Sequence, residues 1–180
     1  MSQQQYRKSN IEIGKIYFWT ATIRNWHHLL SDDKFKTVII DSLNFLSDQQ
    51  LIDVFAFVIM PNHIHLIWRI NALNGKELPS GSLLKFTGHQ FKQMLPTTEL
   101  ALYKVTAPNK QYEFWQRDSL AIELYSPEVI YQKLEYIHNN PLAGKWSLAT
   151  DPIKYEYSSA AFYECEACRF PFLKHIGYEL

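Results

Sequence analysis

Two histidines separated by one apolar residue stand between two strongly apolar parts of the chain. His63 and His65 follow the turn signal Pro61-Asn62, and runs rich in β-branched and aromatic residues lie on both sides. Residues two apart on a strand point to the same face, so both imidazoles are expected to project together. Because histidine is the commonest metal ligand, the pair predicts a metal site or a phosphate site.

Other classes of histidine site require residues that this sequence lacks. A lone histidine on a strand is usually a hydrogen-bonded core residue, and two at this spacing are less typical of a core. A histidine-triad nucleotide hydrolase would need a third histidine where Ile67 stands, and a two-histidine phosphoesterase would need a second His-x-Thr or His-x-Ser, which is absent. A zinc hydrolase needs three protein ligands, and no third histidine or acid lies near the pair.

A second group of polar side chains falls on a predicted helix that begins at Ser126-Pro127 and ends before Pro141. Tyr136 and Asn140 are four residues apart on one face of it, and Gln132 lies one turn earlier. Taken alone, Tyr136 is most simply a half-buried packing residue. If its face packs over the histidines, the site combines two imidazoles, an amide oxygen and a phenol, a set that suits phosphoryl transfer by a tyrosine nucleophile.

The elements that must position these residues alternate between the two periodicities. A strand, a helix capped by Ser31-Asp32-Asp33, the hairpin around Pro61, a second helix, a short strand and the helix with Tyr136 follow in order. This β-α-β-β-α-β-α pattern predicts an α+β fold, a central antiparallel sheet with helices packed on it. The predicted ranges are 15–23, 31–46, 54–59, 63–70, 82–95, a strand within 112–124, and 126–139, with a less regular connection over 97–110.

Composition places the chain among globular proteins. The 180 residues suit one domain, 1–180, with a polar arm up to residue 14 and a tail from residue 163, and 47% are hydrophobic. No apolar run spans a bilayer and the N-terminus lacks the apolar core of a signal peptide, so the default expectation is cytoplasmic. A formal net charge of zero means that DNA binding would need a local basic patch.

Cys165 and Cys168 form a lone Cys-x-x-Cys motif. A zinc site would need two more ligands, for which His175 is one candidate, and the surrounding sequence is unlike a thioredoxin-type redox unit. Both are therefore interpreted as ordinary cytosolic thiols.

Two long motifs resemble the single-tyrosine HUH transposases, in which His, a hydrophobic residue and His form the signature. They are Met60-Pro61-Asn62-His63-Ile64-His65-Leu66 and Tyr136-Ile137-His138-Asn139-Asn140-Pro141-Leu142-Ala143-Gly144. The REP-associated tyrosine transposases are the most similar branch. Shorter matches occur in the same order at Phe91-Lys92, Phe114-Trp115-Gln116 and Tyr157-Ser158-Ser159-Ala160, so the resemblance runs over about 15–162.

The resemblance implies an RRM-like, ferredoxin-like fold and cleavage of single-stranded DNA at the foot of palindromic hairpins through a 5′-phosphotyrosine. It implies that His63, His65 and Asn140 bind Mg²⁺ or Mn²⁺ and that Tyr136 is the nucleophile. Relatives act as monomers or as homodimers. From the residues alone, Lys85, Lys92 and Lys133 are candidates for DNA phosphate contacts.

The expected function is a metal-dependent single-strand DNA endonuclease and strand transferase, a transposase that acts in DNA transposition and recombination. Two alternatives stay open at this point. One is a hairpin DNA-binding protein of the same fold that does not catalyse. The other is a metal-dependent RNA or nucleotide phosphoesterase in which Tyr136 is only structural.

Overall fold

A four-stranded antiparallel sheet forms the centre of the computed structural model, which describes residues 11–165 and 169–180. Its strands are β1 (Ile16–Thr22), β2 (Ile52–Met60), β3 (His63–Ile70) and β6 (Leu120–Glu123), in the spatial order β2-β3-β1-β6. A separate two-stranded sheet contains β4 (Lys104–Ala107) and β5 (Lys110–Tyr112). The main helices are α1 (Asp33–Asp48), α2 (Pro79–Met94) and α4 (Pro127–Asn139), with the shorter α3 (Thr97–Leu100) and α5 (Ala160–Cys165).

The order of these elements is that of the ferredoxin-like unit. With β6 as the fourth strand, β1-α1-β2-β3-α2-β6 has its first and third strands at the centre of the sheet. The predicted α+β fold with a central antiparallel sheet is therefore confirmed. No helix in the described part of the chain is both long enough and apolar enough to cross a membrane.

Helices cover both faces of the sheet. On one face, α1 and α2 bury residues such as Phe35, Ile39 and Phe91 against Trp19 and Trp68 of the strands. On the other face, α4 buries Ile130, Leu134 and Ile137 against a smaller cluster that includes Phe18 and Met60. The strands alternate between the two clusters, as the two-residue period of a strand requires.

The β2–β3 hairpin fixes which face the two histidines occupy. Its two-residue connection, Pro61-Asn62, pairs Met60 with His63 and Val58 with His65. Ile64 and Leu66 enter the core beneath α1 and α2. The intervening His63 and His65 consequently share the other face, as the alternation predicts, and in the structure α4 packs on that face.

The helix that carries Tyr136 begins as the sequence predicts. The Ser126 side chain caps it by accepting a hydrogen bond from the Val129 amide at 3.4 Å, and Pro127 occupies the first turn. Ile130, Leu134 and Ile137 recur at helical spacing and supply its apolar stripe.

That helix ends at Asn139, as the sequence predicts, but the backbone conformation of the next residue differs from the prediction. Pro141 was expected to keep Asn140 out of helical geometry, yet Asn140 has φ −55° and ψ −42° and continues into a 3₁₀ turn at Asn140–Leu142. Its amide donates to the Ile137 carbonyl, and its own carbonyl accepts from the Ala143 amide at 3.2 Å. These bonds offset the steric preference set by the proline.

The start of the second helix was predicted incorrectly. The second helix begins at Pro79 rather than Ser82, because a proline fits the first helical turn, where its missing N–H has no partner to lose. The less regular connection over 97–110 contains the short α3 and strand β4, which pairs with β5.

The chain ends of the fold are tied to the sheet. Tyr155 donates from its hydroxyl to the Ile59 carbonyl at 2.7 Å, and Phe172 and Leu173 are buried in the larger core cluster. Gly14 donates from its amide to the Ile70 carbonyl at 2.8 Å. The predicted polar arm lies largely in residues 1–10, outside the described residues.

Asp53, which is 3% exposed on β2, anchors the C-terminal segment. It accepts hydrogen bonds from Arg69 at 2.6 Å and Asn71 at 3.0 Å, and it pairs with Lys174. Burial alone would raise the pKa of Asp53, but the bonds from Lys174, Arg69 and Asn71 outweigh it and hold the pKa below the ordinary value of 3.8.

Asp53→Asn is expected to lower the free energy of unfolding at pH 7 by about 2 kcal/mol, because the partly exposed Arg69 and Lys174 lose charge-assisted hydrogen bonds to a buried carboxylate. The stabilisation by ionised Asp53 is present above the unfolded pKa and is lost as the pH falls through the lower folded pKa. Urea unfolding at pH 7 and pH 3 should therefore show a smaller acid loss in the variant than in the wild type. Asp48→Asn, at an exposed position, is the control; an equal acid loss in Asp53→Asn would contradict this account.

Candidate active site

His63 and His65 lie side by side on β3 with ring centroids 4.7 Å apart, and both are buried. The His63 Nδ1 lies 2.7 Å from the Asn62 side-chain oxygen, which can only accept, so Nδ1 carries the proton and Nε2 keeps a lone pair. The His65 Nδ1 lies 2.7 Å from the Thr20 hydroxyl. Hydrogen bonds at Nδ1 are the usual way to fix the ring of a histidine that binds a metal through Nε2.

Burial keeps both imidazoles neutral at physiological pH. It lowers the pKa of His63 to about 4, with a further contribution from the positive charge of Lys145. It lowers the pKa of His65 to about 3, with contributions from His63 and Lys133. The neutral ring is the form that binds a metal ion.

Asn140 supplies a third polar atom at the C-terminal end of α4. Its side-chain oxygen is buried and, within the described residues, has no hydrogen-bond partner, and the same is true of the His65 Nε2. Buried polar atoms normally find partners, and leaving one unpaired costs about 1–3 kcal/mol. Two such atoms at a predicted metal site fit a bound cation as the missing partner.

Tyr136 lies beside the histidine pair. Its ring packs edge-on against His65 with centroids 5.4 Å apart and against Phe18 at 5.9 Å, and Phe18 stacks on His65. Tyr136 is 48% exposed, so solvent and a substrate can reach this side chain. The Lys133 Nζ lies 5.0 Å from the Phe18 ring centroid and 5.7 Å from that of Tyr136, which puts a positive charge next to the phenol.

One cavity is lined by three of the four predicted site residues, all but His65. It has a volume of about 430 Å³ and is lined by His63, Tyr136 and Asn140. The structure thus brings together residues more than seventy positions apart that the sequence predicts as one site.

The candidate metal site differs from a site built only of histidine, cysteine, aspartate and glutamate. Across 11–165 and 169–180, no group of three or more such side chains is placed to hold a metal ion. The candidate therefore depends on an amide oxygen as its third protein donor.

The predicted DNA-contacting lysines separate into two places. Lys133 belongs to the cavity region, whereas Lys85 and Lys92 lie on α2, on the opposite face of the sheet. They line a larger groove of about 1150 Å³ that also includes Lys110 and Arg117.

The groove and the cavity are linked at the end of β1. Gln116, which lines the groove, donates from its amide to the Thr22 carbonyl at 2.7 Å. Thr22 is the register partner of His63. One backbone hydrogen bond and one pair of neighbouring strand residues therefore separate Gln116 of the groove from His63 of the cavity.

The sequence analysis assigns no role in the site to several residues that the structure places there. Thr20 and Asn62 hold the two imidazoles, but only the strand register shows that Thr20 faces His65. Trp146 and Lys145 line the cavity from the turn after α4. Cys165 is a free, exposed thiol, and Cys168 lies outside the described residues, so the cysteine pair stays untested.

Comparisons with known proteins give evidence on the fold. No protein-family model matches the chain, and no curated protein matches it. A solved structure of a REP-associated tyrosine transposase bound to a REP hairpin is similar, with a TM-score of 0.60 and 17% identity over 89% of this chain and 83% of that one. A Deinococcus radiodurans protein provisionally described as a transposase gives a TM-score of 0.45 and 18% identity over 74% of this chain and 96% of that one. At these identities the first likeness shows a shared fold, in agreement with the predicted α+β architecture.

Proposed function

We propose that this chain is a transposase-like enzyme, a metal-dependent endonuclease and strand transferase that acts on single-stranded DNA at palindromic hairpins. The observation that carries the proposal is that His63, Asn140 and the accessible Tyr136 line one cavity, while the His65 ring lies against His63 and Tyr136. The side-chain oxygen of Asn140 and the Nε2 of His65 have no partner within the described residues. The similar fold of a transposase bound to a REP hairpin supports the choice of DNA hairpins as substrate.

The donor set fits a divalent cation. His63, His65 and Asn140 would hold it, with water and phosphate oxygens completing the shell, and it would act as a Lewis acid on the scissile phosphate. Imidazole ligands suit Mn²⁺ better than Mg²⁺, whereas an amide oxygen and phosphate oxygens suit both. Thr20 and Asn62 would keep the two imidazoles in the orientation that such binding requires.

Tyr136 would carry out the chemical step. Its phenolic oxygen attacks phosphorus and the bond from phosphorus to the 3′ oxygen breaks, which gives a 5′-phosphotyrosine and a free 3′-hydroxyl. The phenolic proton passes to solvent, and the departing 3′ oxygen takes up a proton. The ammonium of Lys133 would favour the negative charge that develops on the attacking oxygen. Attack by a 3′-hydroxyl on the phosphotyrosine would reverse the step and join strands.

A labelled stem-loop oligonucleotide incubated with the protein and Mn²⁺ tests the proposal. A protein–DNA adduct that survives denaturant, together with a product bearing a free 3′-hydroxyl, is the expected result. Binding without cleavage would assign the chain to the non-catalytic hairpin-binding proteins. Hydrolysis without an adduct would mean that water, and not Tyr136, is the nucleophile and that the protein is a phosphoesterase.

The protein is expected to prefer a stem-loop with a single-stranded foot over fully paired duplex DNA. A nucleophile fixed on a helix must reach phosphorus in line with the leaving oxygen, and a flexible strand bends to allow this more readily than a duplex. Phosphate contacts from Lys85 and Lys92 would make the affinity fall with salt concentration. Equal affinity for duplex and stem-loop in a gel-shift titration would argue against this substrate.

The groove lysines can be tested in the same titration. The double variant Lys85→Gln, Lys92→Gln should make the slope of log affinity against log salt concentration less steep. The expected change is the contribution of about two phosphate contacts. Lys76→Gln removes the same charge from an exposed position outside the groove and should leave the slope unchanged.

A further inference from the structure

One wall of the cavity beside Tyr136 consists of residues that have no part in the proposed phosphoryl transfer. Trp146 and Lys145 form it, and Gln132 of α4 also lines the cavity. The cavity volume of about 430 Å³ lies in the range of pockets that hold a small ligand. The space suits a group of the size of one nucleotide.

The Trp146 ring is held at a fixed place relative to the site. Its amide donates to the Ala143 carbonyl at 2.7 Å, and the Ala143 amide donates to the Asn140 carbonyl at 3.2 Å. The ring centroid lies 5.8 Å from that of His63 and 5.7 Å from that of His28. A half-buried indole is thus coupled through two backbone hydrogen bonds to a proposed metal ligand.

The chemistry of this wall matches both parts of a nucleotide. An indole offers a flat face on which any base can stack. The exposed Lys145 Nζ lies over the Trp146 ring, 5.3 Å from its centroid. A base that stacks on this face would take the place of the ammonium, which could then contact the phosphate of the same nucleotide. Gln132 adds an amide that can donate to or accept from the edge of a base.

We propose that Trp146 and Lys145 form a subsite for one unpaired nucleotide next to the phosphate that Tyr136 attacks. The base stacks on Trp146 and the phosphate pairs with Lys145. This subsite rests on the proposed function, because it assigns single-stranded DNA to the same cavity. It makes Trp146 a positioning residue that fixes which phosphate of the single-stranded foot reaches the phenol.

A purely structural Trp146 would behave differently. The residue also packs against the core cluster beneath α4, so its loss could act through stability alone. A structural role would weaken binding of every DNA equally. Stacking on a base would disappear when that one base is removed from the DNA, and this difference provides the readout.

The experiment uses stem-loop oligonucleotides in which a single abasic site is moved along the single-stranded foot. With the wild-type protein, one abasic position beside the cleaved phosphate should weaken binding roughly 5- to 150-fold, the range of one base–aromatic stack. Trp146→Leu should show the same loss on intact DNA and no further loss with that abasic site, while Trp146→Phe should retain most of the effect. An abasic penalty that is equal in wild type and Trp146→Leu would overturn the proposal.

Two controls keep the test decisive. Trp26 is 59% exposed and does not line the cavity, so Trp26→Leu should keep the full abasic penalty. If Trp146→Leu fails to fold, Lys145→Gln at an exposed position tests the subsite independently and should remove about one phosphate contact from the salt dependence; an unchanged slope would contradict the subsite.

The subsite and the proposed function fail in different ways. Adduct formation by the wild type without any position-specific abasic effect leaves the function standing and removes the subsite. A position-specific effect coupled to Trp146 without any adduct supports the subsite and assigns the chain to hairpin binding.

Discussion

Tyr136→Phe is expected to abolish the denaturant-resistant protein–DNA adduct completely and to reduce cleavage by more than about 10³-fold. The substitution removes only the attacking oxygen and keeps the ring that packs edge-on against His65 and Phe18. Folding, metal binding and stem-loop binding should therefore persist, with stability changed by less than about 0.5 kcal/mol. Gel electrophoresis of a labelled stem-loop after denaturation measures both the adduct and the cleaved product.

Tyr131→Phe is the matched control. It removes the same hydroxyl from the same helix at a similar exposure, 51% against 48% for Tyr136, but it lies outside the cavity. It should retain adduct formation and cleavage. Cleavage by Tyr136→Phe at the wild-type rate would make water or another residue the nucleophile.

The second large effect concerns the metal. Replacing both His63 and His65 by alanine should eliminate Mn²⁺ binding in calorimetry beyond background and eliminate cleavage with it. The reason is that these two rings supply both nitrogen donors of the proposed site, and Asn140 alone offers a single neutral oxygen. Circular dichroism establishes that the variant is folded before the titration.

One further variant tests the same site with both histidines in place, and a second variant, outside the site, is its control. Thr20→Val keeps the size of the side chain but removes the partner of the His65 Nδ1, and loss of such an orienting bond should weaken Mn²⁺ binding by about 10- to 100-fold. His89→Ala removes an exposed histidine of the groove and should leave binding unchanged. Unaltered Mn²⁺ binding in the double histidine variant would place the metal elsewhere.

Local signals predicted most of the fold because each is carried by few residues. The cap at Ser126, the turn at Pro61-Asn62 and the alternation along β3 all appear in the structure as expected. The sequence pattern predicts the start of α2 three residues too late, because Pro79 fits a first helical turn, where its missing N–H loses no partner. Asn140 shows the opposite case, in which turn hydrogen bonds override a local steric preference.

The site was predictable only in part. The spacing of His63 and His65 shows that they share a face, and that of Tyr136 and Asn140 shows the same for the helix, but only packing brings the two faces together. The partners of the imidazoles depend on strand register, which joins Thr20 to His65 across forty-five positions. Lys85 and Lys92 illustrate the limit, because a basic residue on a helix does not reveal which side of the sheet it faces.

The placement of Tyr136 against His65 within one polypeptide has a consequence for stoichiometry. Each chain brings one phenol to one pair of imidazoles, so under the proposed chemistry it can hold a single DNA end at a time. One chain then contains every side chain that the proposed chemistry needs to open one strand once. Moving a DNA segment with two ends requires either two molecules, each holding one end, or one molecule that releases the first end before it takes the second.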